Sequence, residues 1–116
     1  MDRVWFGLGA LAGLGAVAMA AVAAHMKLDA ASVAMLREAV QMQGWHALAL
    51  LACGIRGGRW CNFAGTFFTL GVLFFCGAIY ARVFGGLPVS NVAPFGGVML
   101  MIGWLMLVIS ATRRRR

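Results

Sequence analysis

Four side chains that can hydrogen-bond or titrate lie inside, or at the end of, stretches of sequence without a charged residue. They form the candidate polar site: His25, Gln43, His46 and Tyr80. Gln43 and His46 are three residues apart, and Cys53 follows seven residues later, so all three share one face of a helix. Because polar groups that face lipid are costly, we expect this face to contact other helices.

His46 is compatible with four roles at such a position. It could form a structural hydrogen bond between helices, which averages only about 0.6 kcal/mol in membrane proteins. With Gln43 and Tyr80 it could line a pocket for a lipid, a quinone or a small solute. With His25 it could ligate a haem b, or it could transfer protons. We favour the structural bond and expect a buried, neutral ring that bonds Gln43, Thr69, Tyr80 or a backbone carbonyl and coordinates no metal.

Other residue types that build catalytic sites are scarce. The only carboxylates are Asp2, Asp29 and Glu38, all expected at membrane boundaries, so paired acid–base catalysis has no candidates. The three cysteines form no Cys-x-x-Cys pair and lack metal-ligand spacing. We therefore predict no enzyme activity, no metal and no cofactor.

The composition places these residues in a membrane. Of 116 residues, 63% are hydrophobic and only 11% are charged, which leaves too few polar residues to cover a soluble domain. Uncharged stretches alternate with charged positions, and an α-helical crossing needs about 20 apolar residues. The sequence predicts an all-α integral membrane bundle in one domain, residues 1–116. Its four predicted transmembrane helices are 4–25, 33–55, 60–82 and 93–112.

The helix ends carry their own signals. Asp29 is a plausible N-cap, and no proline follows before Ile55, so the second helix is expected to begin well before its span. Gly57 and Gly58 predict a tight turn, and Pro94 is acceptable only in the first turn of the last helix.

The first apolar run also resembles a signal peptide. It follows Asp2-Arg3 and ends in Ala21-Val-Ala-Ala24, a small-residue pattern typical of cleavage sites. At about 20 residues, however, it is longer than the usual apolar core of ~7–15 residues. A retained first span is predicted.

The net charge of +7 is explained by topology rather than by nucleic acid. With four spans, one side of the membrane carries Arg3, Arg56, Arg59 and Arg113 to Arg116, seven arginines, and the other side carries only Lys27, Arg37 and Arg82. The positive-inside rule then places both termini in the cytoplasm. The tail Arg113, Arg114, Arg115 and Arg116 is expected to contact anionic lipid head groups.

Small residues recur at positions where helices should approach closely. In lipid, such residues let backbones pack against each other, within one chain or between chains; we favour packing within the chain. The predicted packing residues are Gly9, Gly13, Ala16, Ala20, Gly71, Gly77, Gly96, Gly97 and Gly103.

Four patches, in order along the chain, resemble the YgdD-like family of small inner-membrane proteins, which contain a domain of unknown function. They are Ala20-Ala-Val-Ala-Ala-His25, Met42-Gln-Gly-Trp-His-Ala-Leu-Ala49, Leu70-Gly-Val-Leu-Phe-Phe-Cys-Gly-Ala-Ile-Tyr80, and Ala93-Pro-Phe-Gly-Gly97 with Gly103-Trp104. Met42 stands where the family pattern has an aromatic residue, and Ala93 replaces a capping Thr, whose role Asn91 could take. The resemblance implies a four-helix membrane fold and no established reaction.

These observations predict a small multi-pass protein of the bacterial inner membrane. The favoured function is a structural or accessory subunit that packs against other membrane subunits or its own copies, in contact with membrane lipids. The alternative is a lipid, quinone or small-solute binding or transport module with an outward-facing pocket around His46.

Overall fold

The computed structural model describes residues 2–88 and 90–113, and these residues are entirely helical outside the turns. The helices are α1 (Asp2–His25), α2 (Ala30–Arg56), α3 (Arg59–Gly85) and α4 (Ala93–Ala111), with one 3-10 turn at Ser90–Val92. Three of them, α1, α3 and α4, are long and apolar enough to cross a membrane. The second helix, α2, contains Arg37, Glu38 and several polar residues and is not among those three.

Glycines end α2 and α3 where the chain must reverse. Gly57 and Gly58 join α2 to α3 with φ angles of 70° and 99°, a region that side chains with a Cβ rarely adopt. Gly86, with φ 65°, ends α3, and its N–H donates to Arg82 O. This left-handed residue after the last turn is a common way to bond the free carbonyls of a helix end.

The N-terminal caps differ partly from expectation. Asp29 occupies the N-cap of α2, as predicted, but its side chain makes no capping hydrogen bond. Pro94 lies in the first turn of α4. The N-cap of α4 is Val92 rather than Asn91, because the 3-10 turn at Ser90–Val92 runs directly into the helix. The prediction that Asn91 caps α4 was therefore wrong.

The helices pack in chain order, α1 on α2, α2 on α3 and α3 on α4. Trp5 closes the bundle near the α2–α3 turn, where its ring lies against Gly65 of α3 and its indole N–H donates to Asn62 Oδ1 at 2.8 Å. Phe68 of α3 and Leu100 of α4 are fully buried in the same core. The molecule is an elongated slab, 49 × 25 × 17 Å.

Most of the predicted small residues lie at contacts within the chain. A Cβ on Gly9 would lie 2.8 Å from Ala47 O, and one on Gly71 would lie 2.6 Å from the Leu100 side chain. Gly96 lies against the backbone of Phe75 and against Gly71 O. These residues let α1 approach α2, and α3 approach α4, at backbone distance.

The other predicted packing residues divide into two groups. Gly13 and Gly97 make ordinary contacts, since a Cβ on either would lie 3.8–3.9 Å from its neighbour, and Ala16 is buried. Ala20 is exposed, and a Cβ on Gly77 would meet no atom within 4 Å. Ala20 and Gly77 line open surfaces of this chain instead of a close contact between its helices, and packing against another chain at these positions stays a prediction.

Candidate functional site

Gln43 joins three helices. The residue lies at the centre of α2 and is only 9% exposed. Its Nε2 donates to Ala12 O of α1 at 2.9 Å, and its Oε1 accepts from the Tyr80 hydroxyl of α3 at 2.7 Å. A side-chain amide has two N–H groups and a carbonyl with two lone pairs, so Gln43 can donate and accept at once.

His46 joins α2 to α4. The ring is 2% exposed; Nδ1 lies 2.6 Å from Met42 O, and Nε2 lies 2.9 Å from Trp104 Nε1. A carbonyl only accepts and an indole N–H only donates. Nδ1 must therefore carry the proton and Nε2 the lone pair, which is the neutral form of the ring.

Aromatic rings enclose this histidine. Its centroid lies 5.4 Å from that of Phe68 and 5.7 Å from that of Trp104, and those two rings pack edge-on at 5.1 Å. Gly103 provides the space, because a Cβ there would lie 2.6 Å from the Phe68 ring. The imidazole is thus held by two hydrogen bonds and two ring contacts.

The structure separates the four candidate polar residues into three places. Gln43 and Tyr80 bond each other, while His46 bonds neither of them. His25 is exposed at the end of α1, roughly 24 Å along the bundle from His46 at ~1.5 Å per helical residue. Of the expected partners of His46, the ring bonds a backbone carbonyl, that of Met42 in its own helix, and it does not bond Gln43, Thr69 or Tyr80. Its second partner, Trp104 of α4, was not expected.

This arrangement bears on the haem and pocket hypotheses. Two axial ligands must face each other across one porphyrin, but His25 and His46 lie at different depths, and Trp104 already occupies the Nε2 lone pair of His46. The pocket hypothesis also changes, because the His46 ring faces α4. Gln43 faces α1 and α3 instead, where it bonds Ala12 O and the Tyr80 hydroxyl.

A cleft of about 290 Å³ opens between α1 and α3, over α2. We call it the α1–α3 cleft. Its walls are mostly apolar, and its lining residues with polar side-chain atoms are Gln43, Thr69, Cys76 and Tyr80. Gly77, where a Cβ would meet no atom within 4 Å, lies on one wall. Its lining comprises Leu8, Leu11, Ala12, Gln43, Leu50, Thr69, Val72, Leu73, Cys76, Gly77 and Tyr80.

Other polar groups in the helices are bonded locally. Thr66 and Thr69 donate to carbonyls four residues back at 2.9 and 2.8 Å, as their positions in a helix predict. Cys76 Sγ donates to Ala39 O at 3.2 Å. Among residues 2–88 and 90–113, every buried side-chain nitrogen and oxygen has a hydrogen-bond partner.

The His, Cys, Asp and Glu side chains of the described residues do not gather at one place. No three His, Cys, Asp or Glu side chains within them lie close enough to hold a metal ion. Cys53, Cys61 and Cys76 are buried and free. The arrangement can connect helices and accommodate an apolar chain in the α1–α3 cleft.

Three contacts were missed from the sequence. Trp104 was part of a motif without a role, although a tryptophan inside a span needs an acceptor for its N–H. The Trp5–Asn62 bond could have been expected for the same reason, because the indole N–H of Trp5 also needs an acceptor. Arg56 donates to Ser110 O at 2.8 Å, so a cation of α2 bonds a carbonyl in the last turn of α4.

In the predicted arginine tail, Arg113 is exposed, and Arg114 to Arg116 lie outside the described residues.

Comparison with known proteins places the chain in a family. The family profile described as "Protein of unknown function (DUF423)" matches residues 15–97. A UPF0382 membrane protein of Staphylococcus saprophyticus is 36% identical over 92% of this chain and 95% of its own, and one of Staphylococcus aureus is 36% identical over 89% and 90%. The UPF0382 inner membrane protein YgdD of Escherichia coli is 28% identical over 92% and 88%. No solved structure matches. The chain belongs to the DUF423 family of small membrane proteins.

Proposed function

We propose that the chain is a multi-pass protein of the bacterial inner membrane in which all four helices cross the bilayer and both termini are cytoplasmic. The connections support four crossings, since only residues 26–29 join α1 to α2 and residues 57–58 join α2 to α3. When α1 and α3 both cross the membrane, connections this short require α2 to cross it in the opposite direction between them. The arginines near the termini and the α2–α3 turn support the orientation.

Within that membrane, we propose that the protein is a structural or accessory subunit and not an enzyme. The observation that carries this proposal is how its polar groups are bonded. In the described residues, Gln43, His46 and Tyr80 form hydrogen bonds that join one helix to another. A catalytic group needs a free donor, acceptor or lone pair at a substrate. The short connections also leave little of the protein outside the bilayer.

A crosslinking pull-down tests this proposal. The tagged chain is produced at low level, crosslinked in intact cells, and recovered in mild detergent for mass spectrometry. We expect a defined set of membrane proteins, or the chain itself, in stoichiometric amount. Recovery of the chain as a monomer, with only background proteins, would contradict the accessory role.

The α1–α3 cleft favours a second candidate function, the binding of a lipid or quinone. Its apolar walls suit a hydrocarbon tail, and the Gln43 amide has a second N–H that could donate a hydrogen bond to a ligand carbonyl. The missing side chain at Gly77 keeps the cleft open.

Filling the cleft tests this candidate. Gly77→Leu should remove a lipid or quinone that co-purifies with the wild-type chain. Gly7→Leu is the control, because a Cβ there also meets nothing within 4 Å and Gly7 does not line the cleft. Equal bound lipid in both variants would contradict the binding function.

A further inference from the structure

A second groove lies between α1 and α2, toward the end of the bundle at which residues 26–29 turn. We call it the α1–α2 groove; its volume is about 910 Å³. The α1 side of the groove is built from alanines only, Ala20, Ala23 and Ala24. Such a surface lets another helix approach closely in a membrane, but by itself it does not identify an occupant.

With α2 crossing the bilayer as proposed, polar groups in the α1–α2 groove lie within the hydrocarbon core. Trp45 is eleven residues before Arg56, about 16 Å along α2, and so lies near the middle of a ~30 Å hydrocarbon core. Its side chain is 55% exposed. Unlike the indoles of Trp5 and Trp104, that of Trp45 has no acceptor within the described residues.

Gln41 adds a second such group. It is exposed in the same groove, about 22 Å from Arg56 along the helix, and its amide makes no hydrogen bond within the described residues. A lone amide facing hydrocarbon is unfavourable, whereas amides that bond across helices stabilise membrane assemblies. These exposed groups contrast with Gln43 and His46, which are bonded inside the chain.

Charges of opposite sign lie at the rim of the groove. Arg37 and Glu38 are consecutive, exposed and line the groove, about 27–28 Å from Arg56, at the edge of the hydrocarbon core. Neither forms an ion pair within the described residues. A surface that carries both signs at one depth is complementary to a copy of itself.

We infer that the α1–α2 groove is the interface of a homodimer, in which a second copy packs about a two-fold axis along the membrane normal. This inference rests on the proposed accessory function and names its partner. Such an axis brings each residue opposite its equivalent at the same depth. The Gln41 amides, each a donor and an acceptor, then face each other, and Arg37 of each copy faces Glu38 of the other.

Charge reversal tests the interface. Arg37→Glu leaves two acidic residues on each copy, and Glu38→Arg leaves two basic ones, so each variant should lose about tenfold in dimer affinity through like-charge repulsion. The double variant R37E/E38R restores opposite signs and should dimerise as the wild type does. Differently tagged R37E and E38R chains, produced together, should co-purify as a heterodimer.

Disulfide crosslinking locates the contact independently of affinity. Gln41→Cys should give an oxidised dimer in membranes, while the wild-type chain, whose three cysteines are buried, should not. Val98→Cys is the control, since Val98 is 50% exposed on α4 and lies at a similar depth, about 20 Å from Ala111. Crosslinking at Val98 but not at Gln41, or R37E and E38R chains that self-associate like the wild type, would overturn the homodimer.

The outcomes separate this inference from the proposed function. Recovery of the chain only with other membrane proteins, without a Gln41→Cys disulfide, overturns the homodimer and leaves the accessory role intact. If the chain is a monomer without partners both in membranes and in mild detergent, the homodimer and the accessory role are both overturned.

Discussion

Replacing Gln43 with leucine tests whether the amide joins helices. The change keeps bulk at a residue that is 9% exposed and removes two hydrogen bonds, one to Ala12 O and one from Tyr80. Hydrogen bonds between membrane helices average about 0.6 kcal/mol, so the two together predict a loss of about 1.2 kcal/mol in the free energy of unfolding. The Tyr80 hydroxyl also loses its acceptor, which brings the expected cost to about 1–2 kcal/mol.

The measurement is reversible unfolding in mixed micelles, with the monomer as the folded state. Gln41→Leu is the matched control: it makes the same chemical change two residues away on α2, at an exposed position, and should cost about 0.5 kcal/mol or less. In a double-mutant cycle, Gln43→Leu and Tyr80→Phe should couple by about 0.6 kcal/mol. Equal costs for the two leucine variants, or no coupling to Tyr80, would refute the assigned bonds.

Three further predictions follow from the same structure. His46→Leu and Trp104→Phe should each cost about 1 kcal/mol or less in unfolding free energy, and the double variant should cost less than their sum because the residues share one bond; strictly additive costs would contradict that bond. Nitrogen NMR of His46 at pH 7 should report a proton on Nδ1 and a lone pair on Nε2, and the opposite tautomer would exclude the Trp104 bond. Gly96→Ala should cost about 1–3 kcal/mol by overpacking, since its Cβ would lie 2.8 Å from Gly71 O. Gly97→Ala, with 3.9 Å to the Phe75 ring, should be tolerated, and similar thermal stability of the two alanine variants would contradict the α3–α4 contact.

The helices could be predicted from sequence because their signals are local. Uncharged runs, glycine pairs and Pro94 mark where helices begin and end, and Asp29 indicated the early start of α2. The length of α2 followed from Asp29 together with the absence of proline between it and Ile55. In each case the information lies within a few residues of the feature that it predicts.

The bonds of His46 and Gln43 could not be predicted in the same way. Spacing places both on one broad face of α2, but which neighbour each meets depends on the crossing of α2 with α1, α3 and α4. Gln43 meets α1 and α3, whereas His46 meets α4 through the long side chain of Trp104. Small residues show the same limit. The spacing of Ala20 and Gly77 matches that of residues that pack, and only the three-dimensional arrangement of the helices leaves them beside a groove and a cleft.

The mass of the assembly in its own lipids tests the central claim most directly, because that claim is that the protein acts by packing in the membrane. Extraction into native-lipid nanoparticles, without detergent, followed by mass measurement, avoids loss of weak contacts between helices. We expect particles that contain two or more copies of the chain, or the chain with another membrane protein. Particles that contain a single copy and no other protein, at native expression level, would contradict the account.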